Sequence, residues 1–233
     1  MNNKVTIFTA INAGGEEKPA GKCLTLFPDG NIQKQAYNSG RYLGDTRAVQ
    51  TLSDLRDLLA SMSSSQLLVT GAYPETNGDG YMLCSELAMK AAGFPVNEDS
   101  LRWYPAAVCN SVAAQWKGER FIMSKYMLLE YDRKSNTPDE MVPSSPEAWW
   151  TMMCEAIPEL DGVQHLLTMS SSGRIKLPDG TSCMNGMSGI HGWVEVLNPA
   201  DIPRFLKVVH KRLVLSGKYW VEEALKGQRA YRT

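Results

Sequence analysis

Two apolar segments constrain the possible fold of this chain most. Each is predicted to form a strand, and each places polar side chains on one of its two faces. In the first, residues 127–132, Glu130 and Asp132 are two positions apart. The side chains of a strand alternate between its two faces, so both carboxylates project together while Leu129 and Tyr131 point the other way. Two such oxygen ligands suit a hard divalent cation, which prefers carboxylates and keeps open positions for phosphate.

The second segment, residues 188–196, carries a histidine on a later predicted strand. The same alternation places His191 and Trp193 on one side of that strand and Gly192 and Val194 on the other. His191 can therefore face the cation site that the acidic pair predicts.

Composition limits the classes of protein to which this chain can belong. With 233 residues and 43% apolar content, it can form one large or two small domains with a substantial core. A formal net charge of -1 and an isoelectric point near 6.3 exclude a globally basic nucleic-acid coat. A polyanion would have to bind to a local basic patch.

Cysteine usage and hydropathy indicate the cellular setting. The five cysteines are widely spaced and form no CxxC pair, which argues against a zinc knuckle or a disulfide framework and favours a reducing cytosol. No signal-peptide pattern opens the chain, and no apolar run approaches the ~18 residues that a membrane span needs. We therefore expect a soluble cytoplasmic protein with no membrane partner.

Helix and strand signals alternate along the chain and predict a mixed α/β (α+β) fold. Thr51 or Ser53 can cap a helix with leucines at helical spacing, and a strand at residues 66–70 follows, which together indicate a βαβ-like unit. A second helix is predicted to start at Ser145, with a proline in its first turn. Further strands are predicted at residues 5–11, 23–27, 32–37, 165–169 and 192–196, and further helices at residues 81–92 and 202–213.

Four groups of residues, in this order, are similar to motifs of the archaeo-eukaryotic primase superfamily. They are Leu129-Glu130-Tyr131-Asp132, Ser170-Ser171-Ser172-Gly173, Gly189-Ile190-His191, and Asp201 to Phe205 with Lys211-Arg212-Leu213. The chain most closely resembles the primase-polymerases of phages, plasmids and integrated mobile elements, from about Tyr126 to the C-terminus. The resemblance implies a catalytic core with an RRM-like sheet, expected at residues 123–233, and an N-terminal α/β portion at residues 1–122.

The resemblance also implies roles for individual residues. Glu130 and Asp132 would bind catalytic Mg²⁺ or Mn²⁺, and His191 would contact the phosphates of the incoming nucleotide. Nucleotidyl transfer further needs cations or hydroxyl donors for the triphosphate. The candidates for nucleotide binding are Ser170, Ser172, Arg174, His191 and Lys211. The serines also fit a solvated turn, and the lysine fits the polar face of an amphipathic helix.

One departure from the family pattern concerns its third motif. The family places another metal-binding aspartate after the helix that follows the histidine strand, whereas here nothing acidic follows Glu223. Either Glu222 or Glu223 takes this place, or the chain is truncated at its C-terminus. With only two acidic ligands to hold a metal pair, we expect residues 1–233 to bind nucleotide and one metal but to polymerise feebly or not at all, and a chain extended past Thr233 to be active.

The residues and the resemblance together predict a metal-dependent nucleotidyltransferase, a DNA primase or primase-polymerase in the replication of a mobile genetic element. Its expected partners are a single-stranded DNA template, nucleoside triphosphates and a helicase domain or subunit. One alternative is a catalytically silent nucleic-acid-binding module of replication initiation. Another is a glycosyltransferase whose acidic pair holds the metal of a nucleotide sugar.

Overall fold

The structure is a computed structural model that divides into two compact units, Met1–Lys125 and Tyr126–Thr233. The sequence predicts the division after residue 122. The described residues are 3–12, 14–27, 32–37, 40–72, 81–84, 104–106, 111–115, 122–133, 136–170, 187–218, 220–223 and 229–232.

The first unit is built around a six-stranded sheet with the order β5-β1-β4-β7-β9-β8. The elements of this unit are β1 (Lys4–Ala10), β2 (Gly21–Leu26), β3 (Ile32–Tyr37), β4 (Arg41–Ala48), α1 (Leu52–Ser61), β5 (Gln66–Val69), β6 (Gly71–Ala72), β7 (Tyr81–Cys84), β8 (Tyr104–Ala106), β9 (Ser111–Gln115) and β10 (Ile122–Met123). The strands predicted at residues 23–27 and 32–37 are β2 and β3, which pair antiparallel as a hairpin. The other two strands, β6 and β10, pair with each other.

The helix predicted after Thr51 and the strand predicted at residues 66–70 are α1 and β5. The strand before that helix is β4, which is not among the predicted strands. It completes a βαβ-like unit with α1 and β5. Both strands pair antiparallel with β1, so they run parallel to each other with β1 between them. The helix starts at the predicted cap, because the Thr51 hydroxyl accepts a hydrogen bond from the Asp54 N–H while the Asp54 carboxylate accepts one from the Thr51 N–H. This reciprocal pair satisfies two N–H groups that a bare helix end would leave without partners.

The predicted helix at residues 81–92 is wrong at its start. Residues Tyr81–Cys84 form β7, which pairs antiparallel with β4 and parallel with β9. A short apolar run has no periodicity that separates a helix from a strand with neighbours on both sides, so tertiary pairing decided its conformation. The remainder of that prediction, residues 85–92, lies outside the described residues.

The second unit contains a three-stranded antiparallel sheet with the order β11-β13-β12 and a separate hairpin. Its elements are β11 (Tyr126–Asp132), α2 (Pro146–Ala156), β12 (His165–Met169), β13 (Gly189–Glu195), α3 (Ile202–Leu215), β14 (Trp220–Glu223) and β15 (Arg229–Arg232). The coarse prediction of a mixed α+β protein is confirmed. No helix within the described ranges is long and apolar enough to cross a membrane.

One face of the three-stranded sheet, the helix face, is covered by α2 and α3. Met127, Leu129 and Tyr131 of β11 form a single buried cluster with residues of both helices and of β13. The Ser145 hydroxyl caps α2 as predicted. Gly217, two residues after the end of α3, has a φ of 74°, the left-handed conformation that favours glycine where a helix stops. Glu130 and Asp132 alternate with the buried residues and therefore lie on the opposite face, the acidic face.

Gly192 sets how closely α2 approaches the sheet. A Cβ atom built on this glycine would lie 2.8 Å from the Trp149 ring and 3.5 Å from the Trp150 ring. Next to this contact, the Trp150 indole stacks on the His165 ring of β12, with a centroid separation of 4.1 Å. The two tryptophans therefore fill the space between α2 and the sheet, and the absence of a side chain at Gly192 leaves room for the Trp149 ring.

Replacing Gly192 by alanine should lower the free energy of unfolding by about 1 to 3 kcal/mol, the usual cost of overfilling a packed core. Urea unfolding followed by tryptophan fluorescence measures this change. Gly14→Ala is the control, because a Cβ there comes no closer than 3.4 Å to the Asn12 side chain. Equal stability of Gly192→Ala and Gly14→Ala would contradict the proposed close approach of Trp149.

Candidate functional site

Two hydrogen bonds at the strand ends show which opposite residues of β11, β13 and β12 share backbone hydrogen bonds. The Arg133 N–H donates to the Ser188 carbonyl (3.0 Å), and the Ser170 N–H donates to the Gly189 carbonyl (3.1 Å). In antiparallel strands, residues that bond to a given neighbour alternate with residues that do not. Glu130 and His191, which lie opposite each other, therefore form a pair without mutual backbone hydrogen bonds. Side chains approach each other most closely in such pairs.

The Glu130 carboxylate and the His191 ring meet on the acidic face. Glu130 Oε1 lies 3.5 Å from His191 Nε2, with the glutamate side chain 56% exposed and the histidine 27% exposed. The other predicted ligand, Asp132, lies one strand step further along the same face. The structure thus brings the acidic pair and the predicted phosphate-binding histidine onto one surface.

The His191 ring has two neighbours on this face: Trp193, which strand alternation places on the same side of β13, and Thr168, which the sequence does not predict. Trp193 meets it edge to face, with a centroid separation of 6.3 Å. Trp193 Nε1–H in turn donates a hydrogen bond to Thr168 Oγ1 (3.3 Å), and Thr168 lies directly opposite His191 on β12. The strand at residues 165–169 is predicted from the sequence, but the register that places Thr168 beside His191 is not.

Ser170 lies in a second row across the sheet, with Gly189 and Asp132. Gly189 is opposite Asp132 on β11, and the Ser170 N–H bonds to Gly189 on the other side. A Cβ atom on Gly189 would overlap Ser170 Oγ, so the serine side chain uses the space that this glycine leaves. Ser170 therefore lies beyond Gly189 as seen from Asp132, with the central strand β13 between them.

Of the other predicted nucleotide ligands, Lys211 is not brought to this surface. Lys211 is exposed on α3, and the buried residues Ile202, Val209 and Leu213 of that helix pack on the helix face of the sheet. The sheet therefore lies between Lys211 and the acidic face. Ser172 and Arg174 lie outside the described residues. Glu222 and Glu223 belong to β14, which pairs with β15 in a sheet separate from β11.

The acidic pair can supply part of the coordination of a divalent cation. Glu130 and Asp132 supply two carboxylates, and the residues that the structure describes contain no group of three or more acidic, histidine or cysteine side chains that could hold a metal. Mg²⁺ is commonly held by one or two carboxylates, with water and substrate phosphates completing its coordination. The donor set therefore fits Mg²⁺ or Mn²⁺ bound together with a nucleotide.

The buried Tyr131 hydroxyl, between Glu130 and Asp132 in sequence, has a shifted pKa. Burial raises the pKa of its hydroxyl above the ordinary value, the Arg133 guanidinium opposes this shift, and the Asp132 carboxylate adds to it. The same hydroxyl lies 3.4 Å from the Met141 carbonyl, to which it donates. Arg133 also forms an ion pair with Asp139, with a distance of 3.1 Å between Nη2 and Oδ1.

Comparisons with protein-family models, curated proteins and solved structures find no match to this chain.

The raised pKa of Tyr131 predicts how stability changes at alkaline pH. A group with a higher pKa in the folded state stabilises fully below its unfolded pKa, about 10 for tyrosine, and loses this contribution as pH rises through the folded pKa. The free energy of unfolding should therefore fall above pH 10. Tyr131→Phe should show a smaller fall, because it removes this titration. Parallel slopes for the two proteins in urea unfolding from pH 8 to 11 would contradict the assignment.

Proposed function

We propose that this chain is a primase-polymerase that carries out metal-dependent, template-directed nucleotidyl transfer on single-stranded DNA. One observation carries the proposal: Glu130, Asp132 and His191 share the acidic face, with Glu130 Oε1 3.5 Å from His191 Nε2. These are the three residues that resemble the family's metal-binding pair and phosphate-binding histidine. The proposed substrates are nucleoside triphosphates and a DNA template, with a helicase domain or subunit as a further partner.

The connectivity of the second unit supports an RRM-like core. The elements follow the order β11, α2, β12, β13, α3, and β11 and β12 both pair with β13. A ferredoxin-like or split βαβ fold has the order β-α-β-β-α-β, in which the first and third strands are neighbours. The first five elements of that pattern are present here. The next strand, β14, is paired with β15.

The residues on the acidic face have complementary roles in the proposed reaction. Glu130 and Asp132 would hold Mg²⁺ or Mn²⁺, and the cation would neutralise charge on the triphosphate as the bond to pyrophosphate breaks. His191 would donate from Nε2 to a phosphate oxygen, and the Ser170 hydroxyl would donate to a second one. Trp193 and Thr168 act as positioning residues, because they restrict the orientation of the His191 ring.

A second candidate is a nucleic-acid-binding replication module without catalytic activity. It is favoured by the two-carboxylate site, since the described residues provide no third acidic ligand beside Glu130 and Asp132. A pair of metals ~3.5 to 4 Å apart ordinarily needs more bridging negative charge than two separate carboxylates supply. The activity test below separates the two candidates.

Primer synthesis tests the enzymatic proposal directly. The unaltered chain should incorporate labelled nucleotides on single-stranded DNA with Mg²⁺ or Mn²⁺ at a low rate, because two carboxylates hold a second metal poorly. Asp132→Asn and Glu130→Gln should each abolish this incorporation, because both changes remove a charged oxygen ligand. Thermal melting should stay close to that of the unaltered protein, since both side chains are at least partly exposed.

Asp161→Asn is the matched control for the acidic variants. Asp161 is exposed in the turn after α2 and belongs to neither face of the sheet, so incorporation should be unchanged. Activity that persists in a folded Asp132→Asn protein would refute the role of the acidic pair. Binding of single-stranded DNA without any incorporation by the unaltered chain would favour the silent module.

His191→Ala should weaken nucleotide binding by ~1.5 to 3 kcal/mol, the usual contribution of a hydrogen bond to a charged group. Template binding should change little, because the loss is confined to the triphosphate. Calorimetric titration with a nucleoside triphosphate and with single-stranded DNA measures both. A histidine with a purely structural role would instead give lower stability with unchanged nucleotide affinity of the folded protein.

A further inference from the structure

A cavity of about 180 Å³ lies within the second unit, between β11, α2 and α3. Its walls are mainly apolar: Leu129 comes from β11, Met152 from α2, and Leu206 and Leu213 from α3. Protein interiors are ordinarily packed without voids of this size, and an apolar cavity of about 150 Å³ is large enough to hold benzene. The cavity can therefore accept one ring or a small fused pair.

The rim of this cavity includes main chain that is available for hydrogen bonding. On β11, residues Tyr131 and Arg133 direct their N–H and C=O groups toward β13, as the bond from Arg133 to Ser188 establishes. Leu128 and Glu130 alternate with them, so their N–H and C=O groups point away from β13. Both residues line the cavity, and their main-chain groups have no backbone partner among the described residues.

The N–H and the C=O of one strand residue point to the same side, so Glu130 presents one donor and one acceptor next to each other. An apolar cleft beside a donor and an acceptor is the usual composition of a small-molecule site, in which apolar walls supply affinity and a few polar groups fix orientation. The matching ligand has a flat apolar ring and carries an acceptor and a donor on adjacent atoms.

We propose that this cavity binds a planar heteroaromatic molecule of one or two fused rings, which pairs through adjacent ring N and N–H groups with the main chain of Glu130. The thioethers of Met141 and Met152 adapt to the ring, since methionine side chains are flexible and polarisable. The site is distinct from the acidic face and does not depend on nucleotidyl transfer. It lies beside the same strand, so the two sites share Glu130 through different atoms.

The probe 7-azaindole, which has a ring nitrogen next to an N–H, tests this proposal in a titration followed by ligand-observed NMR. Indole lacks the acceptor, and indene lacks both polar groups. Each lost hydrogen bond should weaken binding about 2- to 10-fold, so the affinities should fall in the order 7-azaindole, indole, indene. Equal binding of indene and 7-azaindole would overturn the pairing with Glu130.

Two variants that fill the cavity from opposite walls test its location. Leu206→Trp changes a cavity residue of α3 that is 38% exposed, and Met152→Phe changes a cavity residue of α2. Leu197→Trp is the control, because Leu197 is 86% exposed and does not line the cavity. Leu206→Trp and Met152→Phe should each weaken 7-azaindole binding at least 10-fold, with Leu197→Trp unchanged.

Circular dichroism of each variant shows that it is folded before its affinity is compared. Because the two variants change different helices, one of them still tests the cavity if the other fails to fold. Binding of 7-azaindole to a folded cavity-filling variant with the affinity of Leu197→Trp would overturn the proposal. Absence of binding to the unaltered protein at millimolar probe would overturn it as well.

Discussion

The register of β11 against β13 is the constraint on which the second unit depends. A shift of one residue moves every side chain of a strand to the other face of the sheet. Gly192 and Gly189 resist such a shift, because each leaves space that a neighbouring side chain occupies: the Trp149 ring at one and Ser170 Oγ at the other. A slip would place a side chain beneath Trp149. The same two glycines therefore hold His191 opposite Glu130 on the acidic face.

The local parts of this arrangement could be predicted from the sequence, and the long-range parts could not. The cap at Thr51 and the start of α2 at Ser145 depend on neighbouring residues alone, and both are confirmed. The shared face of Glu130 and Asp132 follows from strand alternation. Thr168 could not be assigned to the site, because its position depends on a register that segments far apart in the chain determine together.

Two ion pairs connect α2 and the turn after it with α3 and the segment after it, but the buried cluster between the two helices contributes more to stability. Arg212 pairs with Glu159, lowering the pKa of that carboxyl group by a hydrogen bond, and Lys218 Nζ lies 3.0 Å from Glu155 Oε2. Exposed pairs of this kind contribute little to the free energy of unfolding. Burial of Trp149, Trp150 and the core residues of α3 contributes far more, since each large apolar side chain removes substantial area from water.

The alternation of β11 separates the possible functions of one short strand. Its odd-numbered side chains build the core with α2 and α3, while Glu130 and Asp132 project from the acidic face. The main-chain groups of Leu128 and Glu130 point in a third direction, toward the cavity at the edge. A substitution of the Glu130 side chain alters the charge beside His191 and leaves the main-chain donor and acceptor in place. The acidic side chains and the main-chain edge of β11 are therefore separate polar surfaces. A substitution can alter the first without altering the second, as long as the core residues keep the register of the strand.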